Sequence, residues 1–175
     1  MKKIIFIITF AIFLYYAHVV SADYRMVSSS ASMPSNKLNE KEISNDLRVM
    51  RLRSFFKSKN SPLTNYAGSF IYWSDHYDLD WRLIPAITGV ESGFGKHMPK
   101  NSFNAYGWAN GNYKFSSWGN SIEQVSKTLR EKYYDKGADD IVKIARRYAP
   151  PSVTWTGKVK YFMEKIDSTP IEFDL

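Results

Sequence analysis

A glutamate at the end of an apolar helical run stands where a proton can be held and delivered. In the segment AITGVESGFG (86–95) the apolar positions lead to Glu91, and Gly93 and Gly95 then break the pattern, as glycine does at helix ends. A carboxylate there faces the negative end of the helix dipole, which opposes ionisation by about 0.3–1 kcal/mol. Glu91 also follows Ile87 by four residues and Ile84 by seven. That spacing sets it at the edge of the buried face, half desolvated yet able to reach a cleft. Glycosidases use such a carboxylic acid, its pKa raised to about 6, to protonate a leaving oxygen. An ordinary exposed glutamate at a helix end shares this spacing, so other residues must carry the chemistry.

The stretch after Glu91 is rich in rings and amides. Phe103, Tyr106, Trp108, Tyr113, Phe115 and Trp118 are interleaved with Asn101, Asn104, Asn110 and Asn112. Apolar sugar faces stack on aromatic faces, and sugar hydroxyls need amide and hydroxyl partners. Phe103, Phe115 and Trp118 are expected in a core. Tyr106 and Trp108, two apart, are expected on one face of a strand, either packed or lining a cleft. Asn110-Gly111 is a strong hairpin signal between Tyr106–Ala109 and Asn112–Phe115.

The remaining pattern is helical. Residues 39–60 are expected as an amphipathic helix carrying Ile43, Leu47, Met50, Phe55 and Phe56. Ser61-Pro62 signals a helix start running to about Tyr77, and Asp80 can cap the helix that bears Glu91. Further helices are expected over 117–134, 138–148 and 154–166, with Pro150-Pro151 between the last two. The fold class expected is α+β, mainly helical, with a small β-hairpin after the glutamate-bearing helix.

Residues 1–22 have the order of a secretory signal: Lys2-Lys3, an apolar run from Ile4 to Tyr16, then Val20-Ser21-Ala22. The apolar run is shorter than the roughly 20 residues of a spanning helix, so no integral membrane segment is expected once the signal is cleaved. Residues 23–38, rich in Ser, Asn and Met, are expected to be a disordered leader. Removing Lys2 and Lys3 lowers the formal net charge from +7 to +5. That suits an anionic polymer partner, although a modest positive charge also simply aids solubility. The chain has no cysteine, which fits a bacterial envelope protein held by packing alone and excludes cysteine-nucleophile chemistry. Asp75, His76, Asp78 and Asp80 lie close together, but a helix end followed by a capping aspartate explains them better than a metal site. No metal, cofactor or nucleic-acid partner is expected.

GVESGFG (89–95), NSFNAYGW (101–108) and RRYAPPSVTW (146–155), in this order and spacing, resemble the glucosaminidase domain of bacterial peptidoglycan hydrolases. That family is named for mannosyl-glycoprotein endo-β-N-acetylglucosaminidase and belongs to the lysozyme-like superfamily. The Glu91-Ser92-x-Phe94 core is also similar to the catalytic segment of soluble lytic transglycosylases. The resemblance implies a lysozyme-like domain over 61–167, followed by a tail over 168–175, with a cleft for alternating N-acetylglucosamine and N-acetylmuramic acid. It implies Glu91 as general acid and Tyr148 as a catalytic cleft residue, with Ser92, Asn104, Tyr106 and Trp108 placing the substrate. The partner implied is the peptidoglycan glycan strand, met by a monomer in the periplasm, envelope or extracellular space.

One departure matters. Glycoside hydrolysis usually pairs the acid with a second carboxylate, yet no Asp or Glu occurs between Glu91 and Glu123. Either Glu123, Asp139 or Asp140 folds back, or the substrate's own N-acetyl group assists, as in lytic transglycosylases that release a 1,6-anhydro sugar. A catalytically silent glycan-binding module is the reading from a different functional class. Export is checked directly: N-terminal sequencing of the secreted protein is expected to begin at Asp23 or within a few residues, whereas retention of Met1 in a membrane fraction would show an anchor.

Overall fold

The helix signals in the sequence are honoured mainly at the N-caps. Asp46 accepts the Arg48 amide and opens α1 (Leu47–Ser58). Ser117 accepts the Asn120 amide at the start of α4 (Trp118–Thr128), and Asp140 accepts the Lys143 amide at the start of α5 (Ile141–Tyr148). Each side-chain oxygen satisfies an amide that the helix itself leaves free. Between them lie α2 (Ala67–His76) and α3 (Leu83–Ser92), and α6 (Trp155–Asp167) closes the set. Asp80 accepts the Arg82 amide just ahead of α3. The structure, a computed structural model, describes residues 46–150 and 152–172. The described residues are mainly helical and contain no strand. The signal, the leader and the first residues of the 39–60 helix lie outside them. None of the described helices is long and apolar enough to cross a membrane.

Two local expectations change. The helix foreseen from Ser61-Pro62 begins instead as a 3-10 turn, Thr64–Tyr66, with α2 starting at Ala67. Ser61 still acts as a cap, since its Oγ accepts the Leu63 amide, but it also donates to the Phe94 carbonyl at 2.8 Å. The hairpin around Asn110-Gly111 does not form. Both residues do take positive φ and the Asn112 amide bonds the Ala109 carbonyl, so the turn is real. Its flanks do not pair as strands.

The core joins all six helices. Val49, Leu52, Phe55 and Phe56 of α1 are shut off from solvent and pack in the same cluster as Phe70, Ile84 and Ile87. α1 is therefore part of the core and not an outlying segment. The tail contacts it too: the Glu172 amide donates to Ser54 Oγ, and Lys57 pairs with Glu172. On α4, Trp118, Ser121, Ile122, Val125 and Ser126, with Leu129 just beyond, form one buried stripe at helical spacing.

α3 lies along α6 and is buried from Leu83 to Thr88. It stops abruptly because Gly93, Phe94 and Gly95 all take left-handed φ of 58°, 64° and 80°. For Phe94 this costs about 1–2 kcal/mol. The cost is offset by its ring, which packs edge-on against Phe55 at 5.1 Å and Phe162 at 5.0 Å. The ring needs room, and Gly89 supplies it: a Cβ there would fall 2.5 Å from Phe94 Cε1 and 2.9 Å from Phe162 Cδ2. Helix propensity alone says that Gly89→Ala stabilises by about 1 kcal/mol. Packing says the opposite, because overfilling costs about 1–3 kcal/mol. Urea unfolding of Gly89→Ala is expected to show a net loss of stability; a gain would mean that the Phe94 ring does not rest on Gly89.

Candidate active site

Glu91 lies on the last turn of α3, half-buried. Its Oε1 accepts the indole N–H of Trp155, the first residue of α6, at 2.7 Å. Burial raises the Glu91 pKa above the usual glutamate value, and the Trp155 hydrogen bond works against that rise. Partial burial is thus the cause to name first, ahead of the helix dipole that the sequence alone suggests. The second oxygen, Oε2, faces Gly107. A Cβ on Gly107 would lie 2.7 Å from it, and the φ of 72° there suits only glycine comfortably. The backbone of the 101–115 loop passes so close to the acid that no side chain fits.

Tyr148, at the end of α5, is half-buried and donates its phenol to the Tyr106 carbonyl at 2.7 Å. Its ring stacks at a tilt on Trp155, with centroids 5.3 Å apart. Burial pushes its pKa well up, the Glu91 charge adds to that, and a hydrogen-bonding influence of Trp108 pulls the other way. Tyr148 therefore keeps its proton across the neutral range. Trp108 is half-buried, packed on Tyr113 at 5.7 Å and Phe115 at 5.3 Å. Glu91, Gly107, Trp108, Tyr148 and Trp155 form one group drawn from α3, the loop, α5 and α6.

The other expected substrate-placing residues support this group from within. Tyr106 is fully buried, with Ser121 Oγ 3.5 Å from its hydroxyl, so its ring does not line a cleft. It parts company with Trp108 because Gly107, not a strand, lies between them. Ser92 is buried and donates to the Ala105 carbonyl while accepting the Gly95 amide. It ties the end of α3 to the loop and has no surface to offer a ligand. Asn104 is buried as well: its Nδ2 donates to the Trp108 and Tyr113 carbonyls at 2.9 and 3.1 Å, and its Oδ1 accepts the Trp108 amide at 3.1 Å. One side-chain amide thereby reinforces the backbone bond between the flanks, from the Tyr113 amide to the Trp108 carbonyl.

The distant carboxylates do not fold back. Asp139 and Asp140 are exposed and paired with Lys143, with Asp140 also capping α5. The charge of Glu123 bears on Tyr77. No other acidic side chain shifts Glu91. Asp75, Asp78 and Asp80 are each taken by a different arginine, Arg48, Arg130 and Arg82. Among the described residues no group of three or more potential ligands could hold a metal.

Trp155 is the site residue that sequence reasoning passed over. The available signal was its place at the end of the third quoted stretch, RRYAPPSVTW. An open groove of about 660 Å³ runs between α3 and α6, bordered by Gly89, Val90, Thr154, Gly157, Lys158, Tyr161 and Phe162, and neither Glu91 nor Trp155 lines it. Compared with protein-family models the chain matches none, and no curated protein matches it.

Asn104 allows a test of structure against binding. Asn104→Ala removes the side-chain hydrogen bonds to the Trp108 and Tyr113 carbonyls and from the Trp108 amide, at about 0.5–1.5 kcal/mol for each bond lost, so urea unfolding is expected to show a clear loss. Asn104→Asp is expected to be worse at pH 7 than at pH 4. The buried carboxylate beside carbonyls has a raised folded pKa, so its stability is present at low pH and lost as pH rises through that value. Unchanged stability with weakened glycan binding would instead make Asn104 a ligand contact.

Proposed function

We propose that this chain is an exported bacterial peptidoglycan glycosidase with a lysozyme-like fold, of N-acetylglucosaminidase type, in which Glu91 is the general acid. The observation that carries the reading is the half-buried Glu91 carboxyl, its pKa raised by burial and its Oε1 held by the Trp155 indole. Support also comes from the three sequence stretches of the resemblance, which meet at this carboxyl: Glu91 from the first, Gly107 and Trp108 from the second, Tyr148 and Trp155 from the third. Trp108 offers a partly exposed ring for a sugar face.

In this reaction the Glu91 proton passes to the glycosidic oxygen as the bond from that oxygen to C1 breaks. Positive charge develops at C1, and the substrate's N-acetyl carbonyl oxygen closes on it. Water then adds to C1 and its proton returns to Glu91. A second outcome has a specific observation in its favour. Among the described residues no other carboxylate bears on Glu91, so activation of water falls to Glu91 alone, and the sugar's own C6 hydroxyl can attack C1 instead. The products are then 1,6-anhydro ends, as in lytic transglycosylases.

Glu91→Gln keeps the size and the Trp155 contact but cannot donate the proton. Turnover of purified peptidoglycan is expected to fall by about 10²–10⁴-fold with glycan binding retained. Cleavage at the wild-type rate would remove Glu91 from the mechanism, and binding without any turnover by the wild type would favour a silent glycan-binding module. Mass spectrometry of the digest distinguishes reducible ends from anhydro ends, which are lighter by one water and resist reduction. Stability gives an independent check. A raised folded pKa means that the Glu91 contribution is full below the unfolded glutamate value and is lost as pH rises through the folded value. The Gln variant is therefore expected to gain in melting temperature relative to wild type as pH rises through that window.

A further inference from the structure

Trp155 and Gly107 have no role so far beyond proximity, and their geometry around Glu91 is asymmetric. An indole N–H can only donate. At 2.7 Å from Oε1, it requires that oxygen to be the acceptor in both protonation states of the acid. A carbonyl-type oxygen accepts better than a hydroxyl oxygen, so the proton of the neutral acid is favoured on Oε2. That oxygen is the one facing Gly107, where even a Cβ would intrude to 2.7 Å. Both Glu91 and Gly107 keep partial solvent exposure, and the bare backbone at Gly107 leaves the room that Oε2 occupies.

We propose that Trp155 is a positioning residue that fixes Oε2 of Glu91 as the proton-delivering atom, with Gly107 leaving the room that Oε2 occupies. The assignment rests on the glycosidase reading. It also gives Trp155 a second effect. Before transfer the Trp155 bond joins two neutral groups, and after transfer it joins a donor to a carboxylate. Charge-assisted hydrogen bonds are about twice as strong as neutral ones. The indole therefore grips hardest when the proton has left, which favours the transition state over the ground state. Burial holds the proton on Glu91 at rest, and Trp155 accommodates the anion that transfer creates.

The surroundings of Glu91 make the effect separable. From α5 the titratable group is Tyr148, which stays protonated. From α6 and from the 101–115 loop no charged side chain contributes to the Glu91 titration. Removing the indole N–H is then the one electrostatic change to follow.

The test is Trp155→Phe in the full chain, with carbon-13 NMR titration of the Glu91 carboxyl and steady-state kinetics on peptidoglycan. Since Trp155 is almost completely buried, a second variant carries benzothienylalanine at position 155, which keeps the bicyclic ring and lacks the N–H. In both, the Glu91 titration midpoint is expected to move up, because a hydrogen bond that favours the anion is gone while burial remains. kcat is expected to fall about 10–100-fold, with KM nearly unchanged and the alkaline limb of the pH–rate profile displaced upward. A purely structural role would lower activity without moving the midpoint. An unmoved or lowered midpoint in the benzothienylalanine variant overturns the assignment, and so does a raised midpoint with unchanged kcat. If Glu91→Gln still cleaves at the wild-type rate, the general-acid role of Glu91 fails by itself, and the titration still decides whether Trp155 holds Oε1.

Discussion

The close approach of the Phe94 ring to Gly89 is the constraint on which the site depends. Three consecutive left-handed residues end α3, and a phenylalanine adopts that conformation only because its ring has a place to go. The place is made by the missing side chain at Gly89, one turn back on the same helix. Once the ring is seated, α3 cannot extend past Ser92, and Glu91 is left on the final turn with its carboxyl at the edge of the core. The strain of about 1–2 kcal/mol is met by aromatic packing drawn from α1 and α6. The position of the acid is thereby tied to the assembly of the whole core.

The electrostatics of the site follow from what surrounds that edge. A half-buried carboxyl with an arginine or lysine beside it would ionise readily, as Asp46 and Asp80 do in this molecule. Among the described residues Glu91 has no such neighbour. Its surroundings are the Trp155 indole, a tyrosine that keeps its proton, and a glycine backbone. Desolvation therefore outweighs the single hydrogen bond that favours the anion. The two effects oppose each other, which is what a proton donor requires: an acid held too firmly would not release its proton, and one held too loosely would have none to give.

Much of this was legible along the chain, and the failures have physical reasons. The end of α3 at Glu91, the cap at Asp80, and the three helices after residue 117 follow local rules of capping and periodicity that act within a few residues. Asn110-Gly111 was legible as a turn for the same reason. The strands around it were not, because whether flanks pair depends on where their backbone hydrogen bonds go, and Asn104 takes up two of their carbonyls from outside the turn. Tyr106 and Ser92 carry the right functional groups for a ligand, but burial decides whether a functional group meets one. Trp155 lies 64 residues from Glu91, and no periodicity reaches that far.

Bracing the turn with an asparagine and no β-ladder changes how the loop can serve the acid. A hairpin would alternate its side chains above and below a sheet, and some residue would then project where Gly107 now lies. Without a ladder, the loop is free to turn left-handed at Gly107 and bring bare backbone against Oε2, while Asn104 holds both sides of the turn beneath it. The Tyr106 carbonyl, left free of any sheet partner by the same turn, accepts the Tyr148 phenol and so brings α5 against the loop. Tyr148 in turn stacks on Trp155, whose indole holds Glu91. The loop's lack of regular structure is thus what lets one carboxyl be reached from three separate elements.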